Sequence, residues 1–396
     1  MNDYFTDISE VYEEGVNKIS SYPSKEEEKD YKRKSEKFID MFREAERVIW
    51  VGTGRQEEVA DFATRITKSN DKDTFCSKDS SIPYKYREDD LVVALSSSGE
   101  TTRTIHYAES AYNAIKKSTP VIAITTDPNS TLAQIAEKTD GFVVEIPGRS
   151  KKDRTEYQER QFSGHHEPLT LGGTLGELYT LEFILDSIGG ALSHQSVIDY
   201  HNKFWEEIKR YKPDPKKISR FYEMLPEPIA YNNSNGTRDS ANKTIIGGMG
   251  LSGVVARAFA IRLAHCAREK EERRVNYYKD AGITSVRKND LAFIISGSGQ
   301  KFWAEALKPI KERGGNIVSA TSFKDSPLGK ISDLCIEIPG RKKIRDSSKV
   351  ENPPKNPERA MFEIRFWLTM ETFIHSLVEG EKISLKAVEE KHPQIT

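Results

Sequence analysis

The apolar positions of this chain gather in short runs rich in β-branched residues. VVAL, VIAIT and FVVEI occur in one half, FIIS and LCIEI in the other. Runs of this length with few polar interruptions suit strands covered on both faces, as in a parallel sheet. Between them lie stretches with helical spacing, over residues 101–117 and 303–313 among others. Each half therefore reads strand–helix–strand–helix, an α/β sandwich that binds ligands beyond the carboxyl ends of its strands. The first 45 residues carry apolar positions at helical spacing (Ile8, Val11, Tyr12, Val16, Ile19) and predict one or two helices packed on the first domain. Residues 211–242 contain PDP, PEP and NNSNG and predict a linker. The expected layout is a helical segment over 1–45, a first domain over 46–210, a linker over 211–242 and a second domain over 243–396.

Four signposts recur in the same order in the two halves. An apolar run enters a Gly-rich turn at VIWVGTGR and again at TIIGGMGLSG. A second run enters a Ser/Gly loop at LVVALSSSGETT and at LAFIISGSGQKF. A third leads to a Thr/Ser turn at VIAITTDPNSTLAQIA and at IVSATSFKDSPLGKIS, and both halves then carry the pentapeptide EIPGR. Gly52 and Gly248, Ser96 and Ser296, Ile146 and Ile338 lie 192 to 200 residues apart, a spread that small loop insertions account for. The chain is read as two homologous domains.

Ser96-Ser97-Ser98-Gly99-Glu100-Thr101 is the sharpest local signal. It leaves a strand and opens a helix, so backbone N–H groups and a helix N-terminus converge there. Hydroxyls at Ser96, Ser98 and Thr101 add donors, and Gly99 permits close approach of the backbone, a combination that suits a phosphate monoester. A plain Ser/Thr helix cap is the competing reading; the parallel loop Ser296-Gly297-Ser298-Gly299 favours anion binding.

Charge narrows the partners. Lys plus Arg number 60 and Asp plus Glu 61, a net charge of −1 with short, locally balanced basic runs, so no nucleic-acid footprint is expected. No apolar run approaches the roughly 20 residues that span a bilayer, and the opening MNDYFTDISEVYEEG lacks the basic start and apolar stretch of a signal peptide. Cys76, Cys266 and Cys335 stand far apart without metal or disulfide spacing, so no metal centre and a reducing cytoplasm are expected.

With S-x-S-G-E-T at Ser96–Thr101, A-F-A-x-R-L at Ala258–Leu263, T-S-x-x-D-S-x-L at Thr321–Leu328 and EIPGR before a basic segment, the sequence resembles the sugar isomerase (SIS) domain family, and within it the 6-phospho-3-hexuloisomerase group. The resemblance spans roughly residues 45–192 and 243–380. It implies two tandem flavodoxin-like α/β/α sandwich domains with parallel sheets, related by a pseudo-two-fold axis, and an isomerase that needs no cofactor. It further implies a site where two domains meet, and chains that pair as a dimer of tandem units. The family's base is a Glu on the helix after the basic segment. The matching stretches GGTLGELYTLEFILD and MFEIRFWLTMETF place it at Glu177 and Glu363. Such a carboxylate can carry a proton between adjacent carbons of a sugar phosphate through an enediolate.

Neither half keeps the whole pattern. The first turn reads GTGRQEE where the family has Ser and Gly, and Glu57 and Glu58 beside a phosphate would oppose binding. The second half keeps Gly250, Ser252 and Gly253 but carries Gln300-Lys301 for Glu-Thr; Lys301 either contacts the phosphate or is solvated. His265, closing the helix after the second Gly-rich turn, either polarises a sugar oxygen or is a structural histidine. His165 and His166 precede the Glu177 helix and read as loop surface, with His166 an alternative substrate neighbour. Arg149 and Arg341, in EIPGR, pair either with phosphate or with a carboxylate across the domain interface, and the structural reading is the preferred one. The resulting expectation is interconversion of a 3-ketohexose 6-phosphate and fructose 6-phosphate. Ser96, Ser97, Ser98 and Thr101 would hold phosphate in one half, and Ser252, Ser296 and Ser298 in the other. Glu177, Glu363 and His265 would carry the chemistry. A non-catalytic phosphosugar sensor and a glucose- or mannose-6-phosphate aldose–ketose isomerase are the alternatives.

Overall fold

The computed structural model describes residues 3–21, 25–68, 72–83, 85–114, 119–148, 174–230, 242–341, 360–384 and 387. The chain divides into two compact units. The first holds Asn17–Glu207; the second holds Met1–Val16 with most of the chain from Ile208 on, so the divisions fall inside helix α1 (Ile8–Ile19) and near the end of α7 (Val197–Lys209).

In the first unit, strands β1 (Arg47–Gly52), β2 (Asp73–Cys76), β3 (Asp90–Leu95), β4 (Val121–Thr125) and β5 (Phe142–Glu145) form one parallel sheet in the order β2-β1-β3-β4-β5. Every residue of β3 and β4 is buried, as their unbroken apolar runs require. Alternate side chains of β1 point to opposite faces. Ile49 and Val51 join Val92, Ala94 and Ala123 under Ala108 and Ala111 of α4 (Thr102–Ala114) and Leu132 and Ile135 of α5 (Thr131–Glu137). Trp50, on the other face, meets Phe38 of α2 (Lys25–Glu44), which in turn packs edge-on against Phe183 of α6 (Thr174–Ser193). Together with α3 (Arg55–Lys68), which contacts both β1 and α6, these helices complete an α/β/α sandwich.

The second unit repeats the plan. Strands β7 (Thr244–Gly248), β9 (Val275–Tyr277), β10 (Leu291–Ile295), β11 (Asn316–Thr321) and β12 (Leu334–Glu337) form a parallel sheet in the order β9-β7-β10-β11-β12, the first unit's order strand for strand. Gly52 aligns with Leu95 in one sheet and Gly248 with Ile295 in the other. The caps repeat too: Ser130 opens α5 and Ser326 opens α11 (Pro327–Ile331), each through its side-chain oxygen. Helices α9 (Leu251–His265), α10 (Lys301–Glu312) and α12 (Met361–Gly380) complete the unit. A two-residue pair, β6 (Ile229–Ala230) with β8 (Glu271–Glu272), runs antiparallel.

Two expectations about the layout change. The stretch predicted as a linker contains α8 (Pro215–Met224), whose Phe221 sits among Phe293 at 4.7 Å, Phe373 at 5.1 Å and Phe259 at 6.4 Å. Its prolines are helix punctuation rather than linker: Asp214 caps the helix through Lys216 N–H and Lys217 N–H, and Pro215 occupies the first turn, where a missing N–H costs nothing. Of the first 45 residues, expected on the first domain, α2 packs there through Phe38 on Trp50, but the residues before Asn17 do not: Phe5 stacks on Phe373 at 5.3 Å and Tyr12 packs edge-on against Tyr211 at 5.6 Å, both in the second unit.

Candidate functional site

In a sheet of this strand order the chain leaves β1 and β3 toward opposite faces, and the crevice between their carboxyl ends is the natural ligand position. The first unit places its Gly-rich turn and its serine loop there. Gly99 adopts φ +65°, and a Cβ on it would fall 2.0 Å from Ser130 Oγ, so the loop lies pressed on the cap of α5. The loop's carbonyls are tied inward. Ser97 O accepts from Thr126 N–H (2.9 Å), Thr126 Oγ1 (2.7 Å) and Thr125 Oγ1 (3.1 Å), and Gly99 O accepts from Leu132 N–H (3.1 Å). With the carbonyls so engaged, the N–H groups of Ser97 and Ser98 have no protein acceptor among the described residues. Ser96 Oγ accepts from Gly99 N–H (3.1 Å) and shares a hydrogen with Thr101 Oγ1 (2.9 Å); Ser98 Oγ accepts from Glu100 N–H (3.2 Å). The structure thus brings Ser96, Ser97, Ser98 and Thr101 into one loop of mutually held donors.

Glu177 belongs to the same place. It sits in the first turn of α6, and the preceding Gly176 approaches the loop so closely that a Cβ on it would lie 2.5 Å from Ser97 Oγ. Glu177 is buried, and its Oε2 lies 2.8 Å from the buried guanidinium of Arg55. Gln56 Nε2 donates to Ser97 Oγ (3.1 Å) and to Thr180 Oγ1 (3.4 Å), linking α3, the loop and α6. Glu57 and Glu58, expected to oppose a phosphate, both face cations: Arg103 lies 3.4 Å from Glu57, and Lys78 lies 2.6 Å from Glu58 and 3.7 Å from Asp61. His165, His166 and Arg149 lie outside the described residues.

The second unit keeps the scaffold and changes the side chains. Gly299 takes φ +61° and meets Ser326 Oγ as Gly99 meets Ser130. Gly297 O and Gly299 O accept from Ser322 N–H (3.1 Å) and Leu328 N–H (3.3 Å). Glu363, fully buried in the first turn of α12, accepts at Oε1 from Ser252 Oγ (2.8 Å) and pairs there with Arg341. Its Oε2 has no hydrogen-bond partner among the described residues. Ser252, expected on phosphate, therefore spends its hydroxyl on Glu363, while Ser296 and Ser298 remain loop residues. A Cβ on Gly297 would meet Phe362 Cδ1 and Arg341 Nε at 2.8 Å. The contact made by Ser97 with Gly176 is thus made here by Gly297 with Phe362, the bulk having moved from loop to helix.

Two residues stand apart. Lys301 is exposed and lies 3.5 Å from Glu305, the arrangement of a solvated helix pair. His265 ends α9, thirteen residues from Ser252, which at helical rise is about 20 Å away. Since α9 starts at the crevice, its last turn lies at the far edge of the sheet, and the structure does not bring His265 to the loop of its own unit. Arg55 escaped sequence reasoning; its only signal was an arginine where the second copy has Leu251.

A model of the SIS domain matches residues 41–140 and again 239–350. The chain belongs to the SIS domain family. This SIS protein is 27% identical over 161 residues to a 3-hexulose-6-phosphate isomerase of Methylomonas aminofaciens, a match covering 40% of this chain and 82% of the relative. An uncharacterised protein of Aeropyrum pernix is 31% identical over 166 residues, covering 39% of this chain and 74% of that one. Each match spans about the length of one repeat. The fold extends to a tagatose-6-phosphate ketose/aldose isomerase of Escherichia coli, with a TM-score of 0.58 at 12% identity over 96% of this chain and 92% of that one. The relatives named for an activity are phosphosugar isomerases. None of the helices among the described residues is long and apolar enough to cross a membrane.

Proposed function

We propose that this SIS protein interconverts a 3-ketohexose 6-phosphate and fructose 6-phosphate. The observation that carries the proposal is the juxtaposition, in each unit, of a buried helix glutamate with a serine loop at the crevice between the first and third strands of the sheet. In the first unit the N–H groups of Ser97 and Ser98 and the hydroxyls of Ser96, Ser98 and Thr101 receive the phosphate. In the second, Ser296 and Ser298 do so. Glu177 and Glu363 are the proton carriers. Starting from the 3-keto sugar, the carboxylate takes the proton from C2, an enediolate spans C2 and C3, and the carboxyl group, exchanging its proton with water in between, delivers a proton to C3 while the hydroxyl hydrogen passes from O2 to O3. The ion pair with Arg55 presents Glu177 as a carboxylate, the form a base needs. The named relatives from three organisms support this substrate over an aldose.

Incubating the protein with fructose 6-phosphate and following the 3-ketohexose 6-phosphate by phosphorus NMR tests the proposal; conversion that disappears in Glu177→Gln with Glu363→Gln supports it. A second reading, a phosphosugar sensor, is favoured by one observation: Gln56 already occupies Ser97 Oγ in the first loop. Saturable binding of fructose 6-phosphate without conversion would select that reading.

A further inference from the structure

Five and nine residues along α6 from Glu177 stand Glu182 and Asp186, which with His201 of α7 form a polar cluster buried in the first unit. Glu182, Asp186 and His201 are all buried, and their ligand-type atoms lie within 4.8 Å of one another. His201 Nδ1 stands 2.6 Å from Asp186 Oδ2 and 3.5 Å from Glu182 Oε1, while its Nε2 stands 3.1 Å from Ser20 O. Asp186 also accepts from Tyr31 OH (2.7 Å) and from Trp205 Nε1 (3.2 Å). The cluster thereby ties α6 to α2 through Tyr31, to α7 through His201 and Trp205, and to the residue after α1 through Ser20.

The hydrogen inventory decides what fills it. A carbonyl only accepts, so Nε2 of His201 carries hydrogen toward Ser20 O. Nδ1 and a carboxylate oxygen cannot face each other at 2.6 Å as two lone pairs, so a proton or a metal ion must lie between them. Ligand bonds of about 2.0–2.1 Å to a divalent ion would hold adjacent donors about 2.9 Å apart or more, wider than the spacing seen. Among the described residues neither Glu182 nor Asp186 has a lysine or arginine within ion-pair distance, and the other groups facing them are the neutral Tyr31 and Trp205.

We propose that Glu182, Asp186 and His201 form a buried proton-binding site: imidazolium on His201, carboxylate on Asp186, un-ionised acid on Glu182. This site clamps the helix that carries Glu177, and the clamp depends on pH. Burial, and then the negative charge of Asp186, push the Glu182 carboxyl well above its usual range. A raised folded value means that its contribution to stability is complete below the ordinary carboxylate range and is lost as pH rises through the folded value. The proposal uses no isomerase chemistry and stands or falls separately from it.

Nitrogen-15 NMR of the histidine-labelled full chain, with the His201 signals assigned by their loss in His201→Gln, or by contacts to Trp205 where that variant does not fold, tests the site. Both ring nitrogens of His201 are expected to show imidazolium shifts at about pH 8, where an unperturbed histidine is neutral; a neutral ring with bare Nδ1 would overturn the proposal. In parallel, the urea midpoint of Glu182→Gln is expected to exceed that of wild type by a margin that widens from pH 5 to about pH 9. A margin that stays constant with pH counts against it. So does a midpoint that rises with added zinc or manganese in wild type and not in Glu182→Gln.

Discussion

Ser97 and Gly176 touch at the point where the phosphate loop meets the helix of the proposed base, and the contact can be tested as a pair. A methyl added by Gly176→Ala lands 2.5 Å from Ser97 Oγ and 3.1 Å from Ser97 Cβ, where 3.4 Å is ordinary contact. The oxygen must swing away, breaking its hydrogen bond from Gln56, worth about 1 kcal/mol. The Cβ overlap remains and costs about 1–2 kcal/mol more. Against this, alanine is better than glycine inside a helix by about 1 kcal/mol, so the single change should destabilise by about 1–2 kcal/mol. In Ser97→Gly the obstructing atoms are gone, and the same methyl should stabilise by about 1 kcal/mol. The double-mutant cycle, read by urea unfolding with tryptophan fluorescence, should therefore give a coupling of about 2–3 kcal/mol. A coupling below about 0.5 kcal/mol would mean that loop and helix do not meet as described.

Other outcomes follow from the same geometry. Arg341→Met strands the fully buried Glu363 without its cation and should cost about 3–5 kcal/mol, most of which Arg341→Met with Glu363→Gln recovers; thermal unfolding compares them. Phe221→Ala should cost about 3–5 kcal/mol in the same assay, whereas a residue of a true linker would cost little. Glu182→Gln should gain about 1.4 kcal/mol of stability over wild type for each pH unit between the ordinary carboxylate value and the raised folded one, seen in urea midpoints.

The sheets were legible because their signal is local. A strand covered on both faces must be continuously apolar, and two sets of such runs in the same order can only be a repeat. The loops at Ser96 and Ser296 followed from those strands, whereas Glu177 and Glu363 were reached only through the resemblance to the SIS family. What stayed hidden depends on contacts distant in sequence. Nothing in PDPKKISRFYEMLPEP says that Phe221 will find Phe373, and the prolines that bound α8 look the same as prolines in a linker. The exchange of bulk between Ser97–Gly176 and Gly297–Phe362 reads, one residue at a time, as the loss of a motif; only the fold shows one contact kept by two means. Gln56 looked like a departure from the family for the same reason. His201 lies on an ordinary amphipathic helix, and its carboxylate partners come from another helix 15 and 19 residues earlier.

The most direct test of the account is deuterium exchange into fructose 6-phosphate in heavy water, followed by proton NMR at C3. An active serine loop with Glu177 and Glu363 as proton carriers predicts loss of the C3 proton signal with the wild-type protein, slowed by about 10²–10⁴-fold when both glutamates are changed to glutamine. A C3 proton that survives prolonged incubation with wild-type protein, or one lost at the same rate in the double variant, would contradict it.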